Sequence, residues 1–181
     1  GLIKKSLKKE NEFYDFFRNR LIFPIKDYKS NIIAFGGRTL NKEKRDQDFK
    51  EAKYINSSES AVFKKSFNLF NLDLAIEEDR RPENLIIVEG YMDVISLYQK
   101  GIQSVVSPLG TALTVDQLNL AWKFSNKPTI MFDGDKAGLR ASFKSALMSL
   151  PLISSKRFLQ FVTLNEGYDP DSFINTFSFN K

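Results

Sequence analysis

No cysteine and no histidine occur among the 181 residues. That double absence excludes disulfides, thiol nucleophiles, the usual zinc sites and every mechanism built on a histidine base or triad. A metal in this chain must sit on oxygen ligands, which suit hard ions such as Mg²⁺ or Mn²⁺, the ions normally employed in phosphate chemistry. No apolar run reaches the roughly eighteen residues that a membrane span requires. The lysine-rich start has no apolar stretch after it, so no signal peptide is predicted either, and a soluble cytoplasmic protein with no membrane partner is the default. Internal repeats and low-complexity tracts are also missing.

What is present is ample apolar material: 42% hydrophobic residues, with 17 Phe, is enough for a real core. The net charge of +5 is unevenly spread. Residues 1–65 hold 16 Lys+Arg against 9 Asp+Glu, which leaves −2 for the remainder. A basic segment joined to a more acidic one suits a polyanionic partner that must meet a cation site, and ordinary solvated lysines explain the same count equally well.

The pattern changes character at Arg80-Arg81-Pro82, the predicted domain boundary. In 1–82 a short charged helix is predicted over 12–20. The apolar runs 21–25 and 32–37 flank a polar turn and read as a β-hairpin, so this half is a small α+β unit. From 83 on, short apolar runs alternate with helical spacing. Strands are predicted at 85–88, 104–106, 129–132 and 158–162, and helices at 92–100, 114–124 and 136–149, the second opened by a capping box of Thr114 and Gln117. Repeated βα alternation implies an α/β, mainly parallel sheet with flanking helices. Phe124, Phe132, Phe143, Phe158 and Phe161 lie inside this apolar pattern and are expected in the core, and packing is the expected role of Tyr91.

In such folds ligands gather at the carboxyl ends of the strands. Glu89 follows the first apolar run directly, Asp133 and Asp135 follow the third, and Asp169 and Asp171 lie shortly after the fourth. Asp93, four residues beyond Glu89, sits early in a helix where a turn brings it to the same edge. Gly90 and Gly134 are expected to allow the tight turns that aim these groups together. Capping is the bland explanation for any single one, with Asp133 as a cap for the helix starting at Lys136 and Asp169-Pro170 as a turn. Coincidence at three strand ends favours a metal site, because six carboxylates packed together repel one another unless a divalent cation lies among them.

The segment Val88-Glu89-Gly90-Tyr91-Met92-Asp93-Val94, followed some forty residues later by Phe132-Asp133-Gly134-Asp135-Lys136-Ala137-Gly138, resembles the Toprim domain of primases, topoisomerases and some nucleases. The words EGYMDV, SPLGTALT, FDGDKAG and GYDPDSF, in this order and spacing, are similar to the bacterial replicative primase family in particular. Phe23-Pro24-Ile25, Ala34-Phe35-Gly36-Gly37-Arg38, Lys53-Tyr54-Ile55-Asn56-Ser57 and Phe63-Lys64-Lys65 resemble the part of the primase polymerase domain that precedes Toprim. The likeness covers roughly residues 13 to 173. The chain departs from it at Lys65-Ser66-Phe67, where the family has lysine-glycine-arginine, and at Asn71, where it has glycine. Its zinc module, the beginning of the polymerase domain and the helicase-binding tail are missing, so the resemblance implies a fragment of a longer enzyme.

The resemblance further implies a Rossmann-like Toprim domain at 83–172, preceded by the α+β subdomain and followed by the start of a helical region at 173–181. Glu89, Asp133 and Asp135 would be catalytic and would bind Mg²⁺ or Mn²⁺ together with Asp93, Asp169 and Asp171. Arg38, Lys53, Asn56 and Lys65 would hold nucleotide or template, with Tyr54 flanking the same groove. The implied activity is DNA-templated synthesis of short RNA primers by metal-assisted nucleotidyl transfer at the bacterial replication fork. Its implied partners are single-stranded DNA, ribonucleoside triphosphates, the RNA–DNA hybrid product and, through the missing tail, the replicative helicase. A Toprim nuclease or topoisomerase fragment would use the same acids to cut, and a noncatalytic nucleic-acid-binding module would use them structurally.

Overall fold

The computed structural model describes residues 2–6, 11–40, 52–77 and 79–177. Near its start, β1 (Ile3–Lys5) pairs antiparallel with β2 (Phe13–Asp15). The helix predicted over 12–20 is therefore not formed. That stretch holds Phe13, Tyr14, Phe16 and Phe17, and aromatic residues favour a pleated surface once a partner strand is available. Asn19, in the left-handed region at φ 49°, then turns the chain into the next strand.

The predicted hairpin is present and longer than expected. β3 (Arg20–Lys26) and β4 (Ile32–Thr39) pair antiparallel, and β5 (Tyr54–Asn56) adds to β4, giving the order β3-β4-β5. Asp27 fixes the connection: its Oδ1 accepts from the backbone N–H groups of Lys29 (2.9 Å) and Asn31 (3.0 Å).

A 3₁₀ turn (Lys65–Phe67) and α1 (Leu72–Ala75) lead to the second half. There β6 (Ile86–Ile87), α2 (Tyr91–Gln99), β7 (Val105–Val106), α3 (Val115–Ala121), β8 (Thr129–Phe132), α4 (Lys136–Ser149), β9 (Gln160–Thr163) and α5 (Pro170–Thr176) alternate. The four strands form one sheet in the order β7-β6-β8-β9, every neighbouring pair parallel. This is the α/β arrangement with flanking helices that the sequence predicts. The Thr114–Gln117 capping box is formed reciprocally, at 3.1 and 3.0 Å. The buried Gln117 side chain also donates to the carbonyls of Lys65 and Asn68, both at 2.9 Å, which ties α3 to the 3₁₀ turn.

Side chains alternate across the parallel sheet as strand geometry requires. Ile87, Val106, Ile130 and Phe132 point to one face with Leu72, Leu85 and Ala121, while Val88, Val105 and Met131 point to the other with Val94, Leu97 and Ile174. A third cluster, Ile25, Ala34, Phe63, Tyr91 and Leu109, joins the hairpin sheet to the second half.

Of the five phenylalanines expected in the core, Phe132 is buried and Phe124 packs against it, whereas Phe143 (66% exposed), Phe158 (42%) and Phe161 (42%) face outward. β9 begins two residues later than predicted and is the edge strand, and Phe143 shares the outer face of α4 with Leu139 and Leu147, so apolar spacing is present there without a covering layer. Among the described residues no helix is long and apolar enough to cross a membrane.

Candidate active site

Chain order reverses between β6 and β8: the chain leaves β6 for β7 on one side and returns to β8 on the other. A crevice opens at the carboxyl edge of such a pair. With Ile87 in register with Ile130, the residues that follow emerge side by side, and the backbone N–H of Asp133 donates to Glu89 Oε1 at 3.2 Å. Asp93, in the first turn of α2, accepts from the N–H of Gly90 at 3.0 Å. Asp135, not Asp133, caps α4, its Oδ1 accepting from Ala137 (2.8 Å) and Gly138 (2.7 Å). Asp169 caps α5 in the same way, accepting from the N–H of Ser172 at 2.7 Å.

The glycines act differently from the sequence expectation. Neither Gly90 nor Gly134 adopts a left-handed conformation. Gly134 instead permits a close crossing of two loops: its N–H donates to the Tyr168 carbonyl at 2.8 Å, and a Cβ there would lie 2.2 Å from the Asn165 carbonyl oxygen. At Gly90 an added Cβ would meet only Asp93 Oδ2, at 3.4 Å, an ordinary contact.

Five of the six predicted acids share one electrostatic neighbourhood. Burial raises the Asp93 carboxyl to about 7, and the negative charges of Asp133, Asp169 and Glu89 push the same way against the Gly90 hydrogen bond. Asp133 rises to about 6, again through burial first and then through Glu89, Asp169 and Asp135. Glu89 is also raised by burial and by Asp135, opposed by the Asp133 N–H. Burial works upward on Asp169 too, but its hydrogen bonds with Ser172 and the charge of Lys53 bring it below the ordinary carboxylate value. Asp171 stands apart from this group: its Oδ1 accepts from Ser96 Oγ on α2 and from Asn175 Nδ2 (2.7 Å), clamping α5 onto α2.

The donor set fits a hard divalent cation in one specific respect. Asp133 Oδ1 is buried and has no hydrogen-bond partner among the described residues, which is costly for a carboxylate unless a cation meets it. The acids are neighbours and not a closed cage: among the described residues no three of them stand close enough to hold one ion together.

The basic sheet abuts this rim. Arg38 on β4 is the register partner of Tyr54 on β5, and the Arg38 guanidinium and Lys53 ammonium lie 5.9 and 5.6 Å from the centre of the Tyr54 ring. Burial raises the Tyr54 hydroxyl, Arg38 lowers it and Asp93 raises it further, so cations, ring and acids sit within one field. Asn56 has both ends of its amide engaged: Oδ1 accepts from the Tyr91 hydroxyl, and Nδ2 donates to the Leu109 carbonyl at 2.8 Å. Lys65 lies in the 3₁₀ turn with its N–H on Glu59 (2.9 Å), and among the described residues no contact brings its ammonium to the Arg38–Lys53 pair.

Tyr91 packs as expected, only 5% exposed, with its ring 4.6 Å from Phe70 and 5.8 Å from Phe23. Its hydroxyl bond to Asn56, which joins the basic sheet to the helix carrying Asp93, was not foreseen. The paired Gly36-Gly37 is the one local sign of it, since a Cβ at Gly36 would come within 2.8 Å of the Tyr91 ring.

Comparison with known proteins places both halves. Residues 1–76 match the family profile described as DNA primase catalytic core, N-terminal domain, and residues 83–154 match the Toprim domain. The DNA primase of Pasteurella multocida is 41% identical over 174 residues, 96% of this chain and 28% of that protein. The chain belongs to the DNA primase family. Primase structures superpose closely: a DNA primase domain from Pseudomonas aeruginosa at TM-score 0.88 and 38% identity, covering 97% of this chain and 52% of that one, and a DnaG primase catalytic domain bound to ssDNA at TM-score 0.85 and 36% identity, covering 98% and 52%. The chain thus spans under a third of the curated primases it matches and about half of the solved primase domains.

Proposed function

We propose that this chain forms the centre of a primase that builds short RNA primers on single-stranded DNA, taking ribonucleoside triphosphates and leaving an RNA–DNA hybrid. The observation that carries the reading is the buried, unpartnered Asp133 oxygen beside Glu89, with Arg38 of β4 and Lys53, next to β5, gathered about Tyr54 in the same electrostatic field as the acids.

Glu89 and Asp133 would hold a catalytic divalent ion between them, with Asp135, Asp93 and Asp169 as the acidic surround. Mg²⁺ or Mn²⁺ bound there supplies charge neutralisation on the triphosphate and makes the attacking 3′-hydroxyl easier to deprotonate. Arg38 grips phosphate through its planar fork and Lys53 through its point charge, with Tyr54 fixing the distance between them. Asn56 acts by holding β5 against Tyr91 and Leu109, and Lys65, in the 3₁₀ turn, meets template apart from the Arg38–Lys53 pair. Asp171 serves as a clamp between α5 and α2.

The division into an α+β nucleotide- and template-binding unit (1–82), a Toprim unit (83–172) and the start of a helical region (173–181) is part of this proposal. Support for the first boundary is that the two family matches end at 76 and resume at 83. Helicase recruitment at the replication fork in the bacterial cytoplasm belongs to parts of the enzyme beyond this chain. The relatives named above are primases, which disfavours the cutting and noncatalytic alternatives.

The test is to incubate the full-length enzyme with single-stranded template, ribonucleotides and Mg²⁺ or Mn²⁺, and in parallel with intact DNA. New primers are expected in the first and no cleavage in the second; nicking without synthesis would overturn the reading. Lys53→Ala should weaken nucleotide or template binding about five- to tenfold, most visibly at low salt.

A further inference from the structure

The parallel sheet has a second edge. At the amino ends of β6, β8 and β9, across the sheet from Glu89, Asp133 and Asp169, lies an open cavity of about 700 Å³, within the size range of pockets that hold small ligands. Its walls carry four cations, Arg81, Lys123, Lys127 and Lys156, against a single acid, Glu83, which is taken up by Lys127 at 2.6 Å. Among the described residues neither Lys123 nor Lys156 has a carboxylate partner. Residues 66–181 are net acidic, so this concentration of positive charge is local, and Glu89, Asp93, Asp133, Asp135 and Asp169 gather at the opposite edge.

The cavity is also aromatic, and its aromatic side is held in place. Trp122 Nε1 donates to the Phe158 carbonyl at 3.2 Å, and the Arg157 guanidinium lies 4.9 Å from the Trp122 ring while its Nε donates to the Leu152 carbonyl at 3.0 Å. The result is a braced Trp122 wall, beside which Phe158, anchored through its carbonyl, is 42% exposed at a depression lined by ammonium groups. An exposed edge alone accounts for a stray apolar side chain. It does not account for an exposed aromatic residue, anchored through its backbone to a braced indole, among unpaired lysines, a combination suited to a phosphodiester strand whose bases stack and whose backbone meets cations.

We propose that this cavity is a second anchoring site for single-stranded nucleic acid, distinct from the catalytic rim, with phosphates on Lys123, Lys156 and Arg81 and a base on Phe158. At about 3.3 Å per residue, the four residues of β8 set the two edges on the order of 13 Å apart, so only a strand longer than the reacting nucleotides reaches both. Binding here needs no divalent ion, because no acid cluster has to be neutralised first.

The test measures the affinity of full-length primase for fluorescent oligo(dT) and oligo(rU) of increasing length, in EDTA and over a salt series. Lys123→Glu with Lys156→Glu is expected to weaken the longer oligomers at least tenfold and to flatten the salt dependence by about 1.4 log units per log unit, two contacts' worth for a single strand. Phe158→Ala should cost roughly tenfold without changing that slope. Nucleotide binding and the rate of primer extension at saturating template and nucleotide should be unchanged in both variants. A preference for oligo(dT) identifies the occupant as template, and a preference for oligo(rU) identifies it as product. Unaltered affinity and slope would overturn the site, as would the absence of a photo-crosslink between Phe158 and an iodouracil-bearing strand in the wild-type enzyme, a readout that does not depend on any variant folding. Equal occupancy by free nucleotide would overturn the assignment to a strand. A wild-type enzyme that makes no primers yet binds strands in this way would sink the proposed activity and leave this site standing.

Discussion

The two larger sheets present their working side chains in opposite ways. On the antiparallel sheet, Arg38, Tyr54 and Asn56 lie within the strands, so the ladder and the period of two decide which of them meet, as the Arg38–Tyr54 register pair shows. On the parallel sheet the acids lie beyond the strand ends, and turns and helix caps decide where they go. Each of four acids there is held through one oxygen by a backbone donor: Glu89 by Asp133, Asp93 by Gly90, Asp135 by Ala137 and Gly138, and Asp169 by Ser172. A strand-borne cation can be replaced at little cost to the backbone, whereas a rim acid is part of the backbone's own hydrogen bonding. Conservative amides are therefore the informative substitutions at the rim, since a carboxamide keeps one accepting oxygen.

The largest contrast is expected from Glu89→Gln and Asp133→Asn in the full-length enzyme. Primer synthesis should fall by about a thousandfold or more, in line with the ~4 kcal/mol such electrostatic groups contribute, while the melting temperature is maintained or raised as repulsion is relieved. Synthesis within tenfold of wild type would remove these residues from the chemistry.

The next effect is on stability. Asp93 and Asp133 are raised from their ordinary 3.8 to about 7 and about 6, so the folded state binds protons more tightly than the unfolded chain. Their contribution is fully present below about pH 4 and is lost as pH rises through 6 to 7. Metal-free protein should thus lose about 2 kcal/mol between pH 5 and pH 8, a figure already reduced for solvent screening at the half-exposed Asp133, and saturating Mg²⁺ should restore it. Thermal melts in EDTA that stay flat across this range, or that fall equally in Asp93→Asn, would contradict a crowded rim.

Smaller again is Gly36→Ala, where the new methyl would meet the immobile Tyr91 ring. A loss of about 1–3 kcal/mol by denaturant titration is expected, and an unchanged midpoint would show that the two sheets are less tightly joined than the Tyr91–Asn56 link implies. Asp171→Asn should cost about 1 kcal/mol or less and leave Mn²⁺ affinity unaltered by calorimetry. A tenfold loss of metal affinity would return Asp171 to the rim with the others.

The parallel half was legible because its signals are local. Thr129–Phe132 and Lys136–Ser149 fall on the predicted residues, and the Thr114–Gln117 box is readable from two side chains three apart. The gathering of Glu89 with Asp133 was legible too, since parallel neighbours must release their next residues at a common edge. What escaped was non-local. The strand at Phe13–Asp15 exists because Ile3–Lys5 lies beside it, and no spacing within 12–20 announces that partner. Phe143, Phe158 and Phe161 have core-like spacing, but burial depends on what lies above them. Asp171 is two residues from Asp169, and on a helix that interval sends the side chain to a different neighbour, here Ser96.

Gly134 carries a further consequence. Because the strand-end turn after β8 and the segment returning from β9 touch through backbone at this position, with no side chain between them to yield, Asp133 and Asp169 are mechanically joined although 36 residues separate them in sequence. The two acids are thus set on one continuous backbone seam, and a substitution that displaces either loop is expected to disturb both.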